Sequence, residues 1–272
     1  MTSISVARTI AIAILAWYAM GLPAQAAGMN CSKAKSKVER LICDDQTDLG
    51  LYVLDRTLNI LYQEAGVRVG AVNLRPISEE QRNWLKNTRN LCDDAQCLKK
   101  AYRIRIGELQ QIATLCKPQE TIIFSCTLNF KKAISLCVSS DAGPEKGYMQ
   151  FRMESDQQGV VLEYPQKLTP ARNNFQYLGG DWSETKAVSF WTGDDRYIVL
   201  TRWDRDPYSK SLFGLVVSQR NSRTRASYSQ CIREPVILYS GHGYTTNFGT
   251  LDKALRLPDA GQEIESILDE VY

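Results

Sequence analysis

Near residue 120 the hydrophobic period of this 272-residue chain changes, and that change limits what the chain can fold into. Before it, apolar residues recur three and four apart, the spacing that lines one side of an α-helix. After it come runs rich in β-branched and aromatic residues, separated by turn clusters, as strands require. The pattern predicts an α+β protein: an N-terminal disulfide-bridged helical bundle, then an antiparallel β sandwich or barrel with a short C-terminal helix. A leader at 1–26, a helical part at 27–117 and a β part at 118–272 are the expected divisions, meeting near Pro118.

In the helical part, Ala34, Val38, Leu41 and Ile42 form the inner side of a short helix between Cys31 and Cys43. Leu51, Leu54, Leu58, Leu61 and Ala65 stripe the next helix, which Thr47 or Asp48 can cap and which Gly66 and Gly70 end. Ser78-Glu79-Glu80-Gln81 has the form of a capping box with acids in the first turn. From it Ile77, Trp84, Thr88 and Leu91 are expected to face inward. Asp93 or Asp94 caps a last helix whose inner side is Leu98, Tyr102, Ile106, Leu109 and Ala113, and Lys117-Pro118 stops it. The result is a bundle of about four helices.

Strands are expected at Thr121–Thr127, Ala133–Ser139, Tyr148–Met153, Val160–Tyr164, Ala187–Thr192, Arg196–Arg202 and Leu212–Ser218. Met149, Phe151 and Met153 alternate with Gln150 and Arg152, as in a half-buried strand. Pro258-Asp259 can start a final helix through Ile264, Ile267 and Leu268.

The first 26 residues have the plan of a secretory signal: Arg8, an apolar run from Ile10 to Met20, and Ala24-Gln25-Ala26 as the small-x-small cleavage site. The run is about half of the roughly 20 residues a spanning helix needs. Cleavage and a periplasmic or secreted product without stable membrane insertion are therefore expected. The formal charge is +3, and losing Arg8 lowers it by one, too little to imply nucleic acid as a partner.

Eight cysteines follow the leader: Cys31, Cys43, Cys92, Cys97, Cys116, Cys126, Cys137 and Cys231. An even number in an exported chain predicts up to four disulfides. Cys31–Cys43 and Cys92–Cys97 are candidate pairs. Cys126 and Cys137 fall on adjacent expected strands, leaving Cys116 and Cys231 for each other or for exchange among these four. Cys92-x4-Cys97 lacks the further ligands a metal site needs, because the chain has one histidine, His242, far off in sequence. No metal or cofactor is expected.

No catalytic centre is legible. Any serine or cysteine triad would have to use His242, and the chain has no Gly-x-Ser-x-Gly elbow, phosphate loop or dinucleotide fingerprint. Asp44-Asp45, Asp93-Asp94 and Asp194-Asp195 read as caps, turns or solvated surface, and Arg220, Arg223 and Arg225 as a solvated loop. Trp182, Trp191, Trp203, Tyr197 and Tyr208 read as core aromatics, with part of a ligand- or protein-binding face as the alternative. Ser240-Gly241-His242-Gly243-Tyr244 is a candidate recognition loop, since glycines permit close backbone approach and short polar groups can bond inside a cleft.

Several ordered positions carry a resemblance. Cys31-Ser32-Lys33-Ala34, Val38-Glu39-Arg40-Leu41-Ile42-Cys43, Leu54-Asp55, Tyr62, Gln81-x-x-Trp84-Leu85, Arg89, Cys92, Cys97-Leu98 and Tyr102-x-x-Arg105-Ile106 together resemble the N-terminal domain of the LprI-type lysozyme inhibitors. That family is largely helical, exported and cysteine-bridged. The β part is similar to the small barrel inhibitors of lysozyme, and Ser240-Gly241-His242-Gly243 resembles the Ser-Gly loop that some of them set against the enzyme's cleft. The resemblance implies an exported, non-enzymatic protein that binds a lysozyme or other peptidoglycan-lytic enzyme, with steric inhibition as the expected consequence. Asp44, Asp45, Asp93 and Asp94, if gathered, would steer it toward a basic enzyme. An envelope adaptor without inhibitory activity is the alternative.

Overall fold

The computed structural model describes residues 29–47, 50–155, 158–179, 184–202, 211–220, 226–237 and 255–269. The expected leader and the Ser240–Tyr244 loop lie outside the described residues, as do Asp48, Trp182, Trp203, Tyr208, Arg223 and Arg225.

Helix α1 (Lys37–Asp44) opens with a capping box in which the Glu39 amide donates to Ser36 Oγ and the Ser36 amide donates to the Glu39 carboxylate. Helix α2 (Leu51–Asn87) is continuous by hydrogen bonding but is broken at Gly70, whose φ of 70° and ψ of 172° are not helical. Tyr62 and Ser78 lie on either side of that glycine, and their hydroxyls meet at 3.1 Å. In a straight helix, residues so far apart in sequence would be separated by about 24 Å. The chain therefore doubles back at Gly70, and α2 is a helical hairpin. Helix α3 (Ala95–Ala113) starts on Asp94, whose carboxylate accepts the Cys97 amide at 2.8 Å.

Three local expectations are corrected here. Thr47 does not cap α2: Gly50 holds the cap position, and the Tyr52 amide donates to the Asp45 carbonyl while Thr47 Oγ1 turns to the Asp45 carboxylate. Ser78 is not an N-cap, because the second limb of α2 begins directly past Gly70 and carries Pro76 within it. Ser78 Oγ donates back to the Leu74 carbonyl, as a mid-helix serine does. Thr88 and Leu91 do not face inward. The helix ends at Asn87, a short 3-10 turn at Arg89–Leu91 changes the angular spacing, and Leu91 is left 70% exposed. Gln81 takes the inner place instead and is wholly buried.

Among the described residues the second half holds two antiparallel sheets of four and five strands, each in sequence order. The first contains β1 (Glu120–Thr127), β2 (Lys132–Ser139), β3 (Met149–Ser155) and β4 (Gly159–Tyr164). The second contains β5 (Gln176–Leu178), β6 (Thr185–Thr192), β7 (Asp195–Arg202), β8 (Leu212–Gln219) and β9 (Ser227–Gln230). Bridges from Ser125 to Val236 and from Leu128 to Cys231 tie the segment after β9 to the outer edge of β1. Helix α4 (Gly261–Asp269) follows.

Three apolar cores stack through these layers. Phe124, Leu136 and Phe151 of the first sheet pack against Phe190, Val199 and Leu215 of the second. Ile122 and Cys137, on the opposite side of the first sheet, share a core with Leu58, Leu61, Tyr102 and Leu109 of the helices. Ala187, Ile198, Leu200 and Val216, on the far side of the second sheet, are covered by Ile264 and Leu268 of α4. The central strands of both sheets are thus buried on two faces, while β4 and β9 at the edges stay largely exposed. This overturns the half-buried reading of β3: Gln150 and Arg152 point toward the helical side and are as enclosed as Phe151. No described helix is long and apolar enough to cross a membrane.

Candidate functional site

All eight cysteines are paired, as Cys31–Cys43, Cys92–Cys97, Cys116–Cys137 and Cys126–Cys231. Cys126 and Cys137 do sit on neighbouring strands, but Cys126 faces Ile134 in register and Cys137 faces Ile122. Cys126 belongs to the core between the sheets and Cys137 to the core against the helices. Each therefore bonds a cysteine on its own side. Cys116, Cys137 and Glu120 bring potential ligand atoms within 4.8 Å of one another. That cluster does not suit a metal, because both sulfurs are spent on one disulfide and both Glu120 oxygens already accept hydrogen bonds.

Glu120 is the centre of a buried polar network. Arg152 Nη1 and Nη2 donate to its two oxygens at 2.6 and 2.7 Å, the Tyr148 hydroxyl at 2.7 Å and the Lys117 amide at 2.6 Å. Arg152 Nη1 also donates to the Leu115 carbonyl, which ties β3 to the end of the helical part. Burial pushes the Glu120 carboxyl up, but Arg152 and the other donors together outweigh it and hold the group below its ordinary value. The arrangement is a bidentate, fully bonded ion pair and leaves no oxygen for a substrate.

Asp55 and Glu64 are buried on the inner side of α2. Asp55 accepts the Tyr102 hydroxyl at 2.6 Å and the Met29 amide at 2.8 Å, while Glu64 accepts Thr127 Oγ1 of β1 at 2.5 Å. Burial raises both carboxyls above their ordinary values despite these bonds, and it also pushes Tyr102 up. Arg68 donates to the Ile112 carbonyl and pairs with Glu154 of β3 at 2.9 Å. Arg105 is buried on the inner side of α3, with Nε donating to Gln81 Oε1 at 3.0 Å and Nη1 to Glu108 at 2.8 Å. Trp84 meets the Tyr102 ring edge-on at 5.3 Å.

The outward side of α3 differs. Ala95, Gln96, Lys99, Lys100, Arg103 and Ile104 line a shallow depression of about 640 Å³. Ile104 is 55% exposed. Lys99 pairs with Asp45 at 2.8 Å, and that bond holds the Asp45 carboxyl below its ordinary value. The acidic patch expected for steering is thus largely spent: Asp94 caps α3, Asp45 holds Lys99 and Asp93 lies 3.9 Å from Lys37.

In the second sheet Trp191 lies under two guanidinium groups, Arg220 at 4.6 Å and Arg196 at 5.3 Å. Tyr197 stacks on Phe190 inside the sandwich. Glu64 has no place in the sequence reading, and Asp55 and Arg105 enter it only as positions of the resemblance, yet a signal of burial is present in the stripes. Asp55 continues the Leu51 stripe by four residues, and Arg105 falls at helical spacing between Tyr102 and Leu109. A charged residue at an apolar position of a stripe is buried with a partner or not at all.

Comparison with family models, with curated proteins and with solved structures finds no match to this chain.

Proposed function

We propose that this chain is an exported, non-enzymatic protein of the LprI type that binds a lysozyme or other peptidoglycan-lytic enzyme and inhibits it by covering its cleft. The reading places it in the periplasm or outside the cell, where four disulfides persist. One observation carries it. The residues on which the resemblance rests converge in space: Asp55 on Tyr102, Tyr102 on Trp84, Gln81 on Arg105, and a disulfide at each end of the signature. Residues scattered over some fifty positions of sequence form one framework, which supports a shared domain over a chance spacing. That framework faces inward, so the work of binding falls to the surface it shapes. Calorimetric titration of the purified protein against c-type, g-type and i-type lysozymes, at low and moderate salt, is the test. Saturable binding to at least one is expected, and binding to none of them overturns the proposal.

A further inference from the structure

We infer that the Cys92–Cys97 disulfide is a thiol-exchange site open in the folded protein, and that a small-molecule thiol attacks it at Cys97 Sγ. The inference concerns the redox chemistry of the helical part and stands apart from the partner proposed above.

The four disulfides differ in what lies between their sulfurs and water. Cys116, Cys137, Cys126 and Cys231 are each at most 7% exposed. Their two pairs sit within apolar cores, so a thiol reaches them only when the layers of the fold separate. Cys31 and Cys43 are both half-buried. Cys92–Cys97 joins a buried cysteine to an exposed one.

That asymmetry selects the sulfur. In thiol–disulfide exchange the attacking thiolate approaches one sulfur in line, from the side away from the other. Cys92 is set in the helical core and Cys97 stands at the surface. The line of approach to Cys97 Sγ therefore comes in from solvent, whereas the line to Cys92 Sγ begins inside the core. The thiolate sulfur bonds to Cys97 Sγ, the Cys92–Cys97 bond breaks, and the electron pair leaves on Cys92 Sγ, which takes a proton from water. The product is a mixed disulfide at Cys97 and a thiol at Cys92. A second thiolate attacks the small molecule's sulfur in the mixed disulfide, releases its oxidised dimer and leaves Cys97 as a thiol. Two thiols are thus oxidised for the one disulfide reduced.

Opening this bond leaves the fold in place. The sequence separation of the pair is 5, so cutting it returns little freedom to the chain. Helix α3 keeps its other anchors: the Cys97 amide on the Asp94 carboxylate at 2.8 Å, and the buried side chains of Leu98, Tyr102 and Leu109. The two sulfurs therefore stay near each other and close again when a small disulfide is supplied as oxidant. What the open form releases is the turn between α2 and α3, which carries the exposed Leu91.

The experiment exposes the folded full chain to 2-mercaptoethanol, quenches samples in acid over time, blocks free thiols with N-ethylmaleimide and maps the peptides by mass. Circular dichroism in the near and far ultraviolet follows the fold in parallel. The expected result is a mercaptoethanol adduct on Cys97 and a blocked thiol on Cys92 while the spectra stay unchanged, with the Cys116 and Cys126 pairs opening at least about tenfold more slowly. A C92S/C97S variant should keep its remaining three disulfides as resistant as they are in wild type. The inference is overturned if Cys31–Cys43 or a core pair opens first, if the adduct sits on Cys92, or if no pair opens before the spectra are lost.

Discussion

With side chains 2% and 0% exposed, Arg152 and Glu120 form an ion pair that water hardly reaches. Breaking such a pair from one side strands the other charge, which typically costs about 3–5 kcal/mol. Arg152→Leu is therefore expected to lower stability by about that much in urea unfolding, whereas Arg152→Leu combined with Glu120→Leu loses less, because no charge is left behind. The buried acids also predict opposite responses to pH. Glu120 is held below its ordinary value, so its contribution is present above that ordinary value and is lost as pH falls through the folded-state value. Asp55 and Glu64 are raised, so theirs is present at low pH and is lost as pH rises through the folded-state values. Urea midpoints followed from about pH 3 to about pH 8 should lose part of their acid-side fall in Glu120→Gln, Asp45 supplying some of the remainder. In Asp55→Asn and Glu64→Gln they should lose part of the decline that accompanies rising pH. At this scale the sequence was least legible. Arg152 alternates with Met153 as a solvated residue would, and only the helical layer laid over the outer side of β3 makes it a core residue.

The hairpin in α2 turns on one residue. Gly70 combines a positive φ with an extended ψ, a region that residues with a side chain enter at a cost of about 1–3 kcal/mol. Gly70→Ala should destabilise the protein by that amount even though no atom stands near the added carbon. Gly107→Ala makes the control: it sits inside α3 without a positive φ, the added carbon again meets nothing, and a gain of up to about 1 kcal/mol is expected. Thermal midpoints of the two variants should move in opposite directions. The stripe of α2 and the alternation of the main strands could be read from spacing, because both depend on which side of an element is apolar. Which of Gly66 and Gly70 reverses the chain could not, since both lie in the same helical run. Nor could β9, whose Ser227-Tyr228-Ser229-Gln230 carries no alternation, or β5, too short to show one.

On the scale of the molecule, helices, first sheet, second sheet and α4 form successive layers, and two disulfides stitch across them. Cys116–Cys137 joins the end of the helical part to β2, and Cys126–Cys231 closes a loop of 105 residues around most of the β part. In the chain-entropy account, closing that loop stabilises the fold by roughly 5 kcal/mol, against about 2 kcal/mol for a loop as short as that of Cys92–Cys97. Replacing Cys126 and Cys231 together by serine should therefore lower the thermal midpoint far more than replacing Cys92 and Cys97. The even number of cysteines was legible as a framework, but the pairing was not. It depends on which side of a strand each sulfur occupies, and the bulge between Ile122 and Phe124 changes that side within β1.

Those last two pairs are interleaved: Cys126 lies between Cys116 and its partner, and Cys137 between Cys126 and its partner. A chain threaded N-terminus first through a membrane and oxidised as it emerges would present Cys116 and Cys126 together, with the correct partner of the second still some hundred residues behind. First-come pairing then produces the wrong bond. On the exported reading proposed above, biosynthesis of this protein should depend on a disulfide isomerase and not on an oxidase alone, and cells lacking the isomerase should accumulate a Cys116–Cys126 species detectable by peptide mapping.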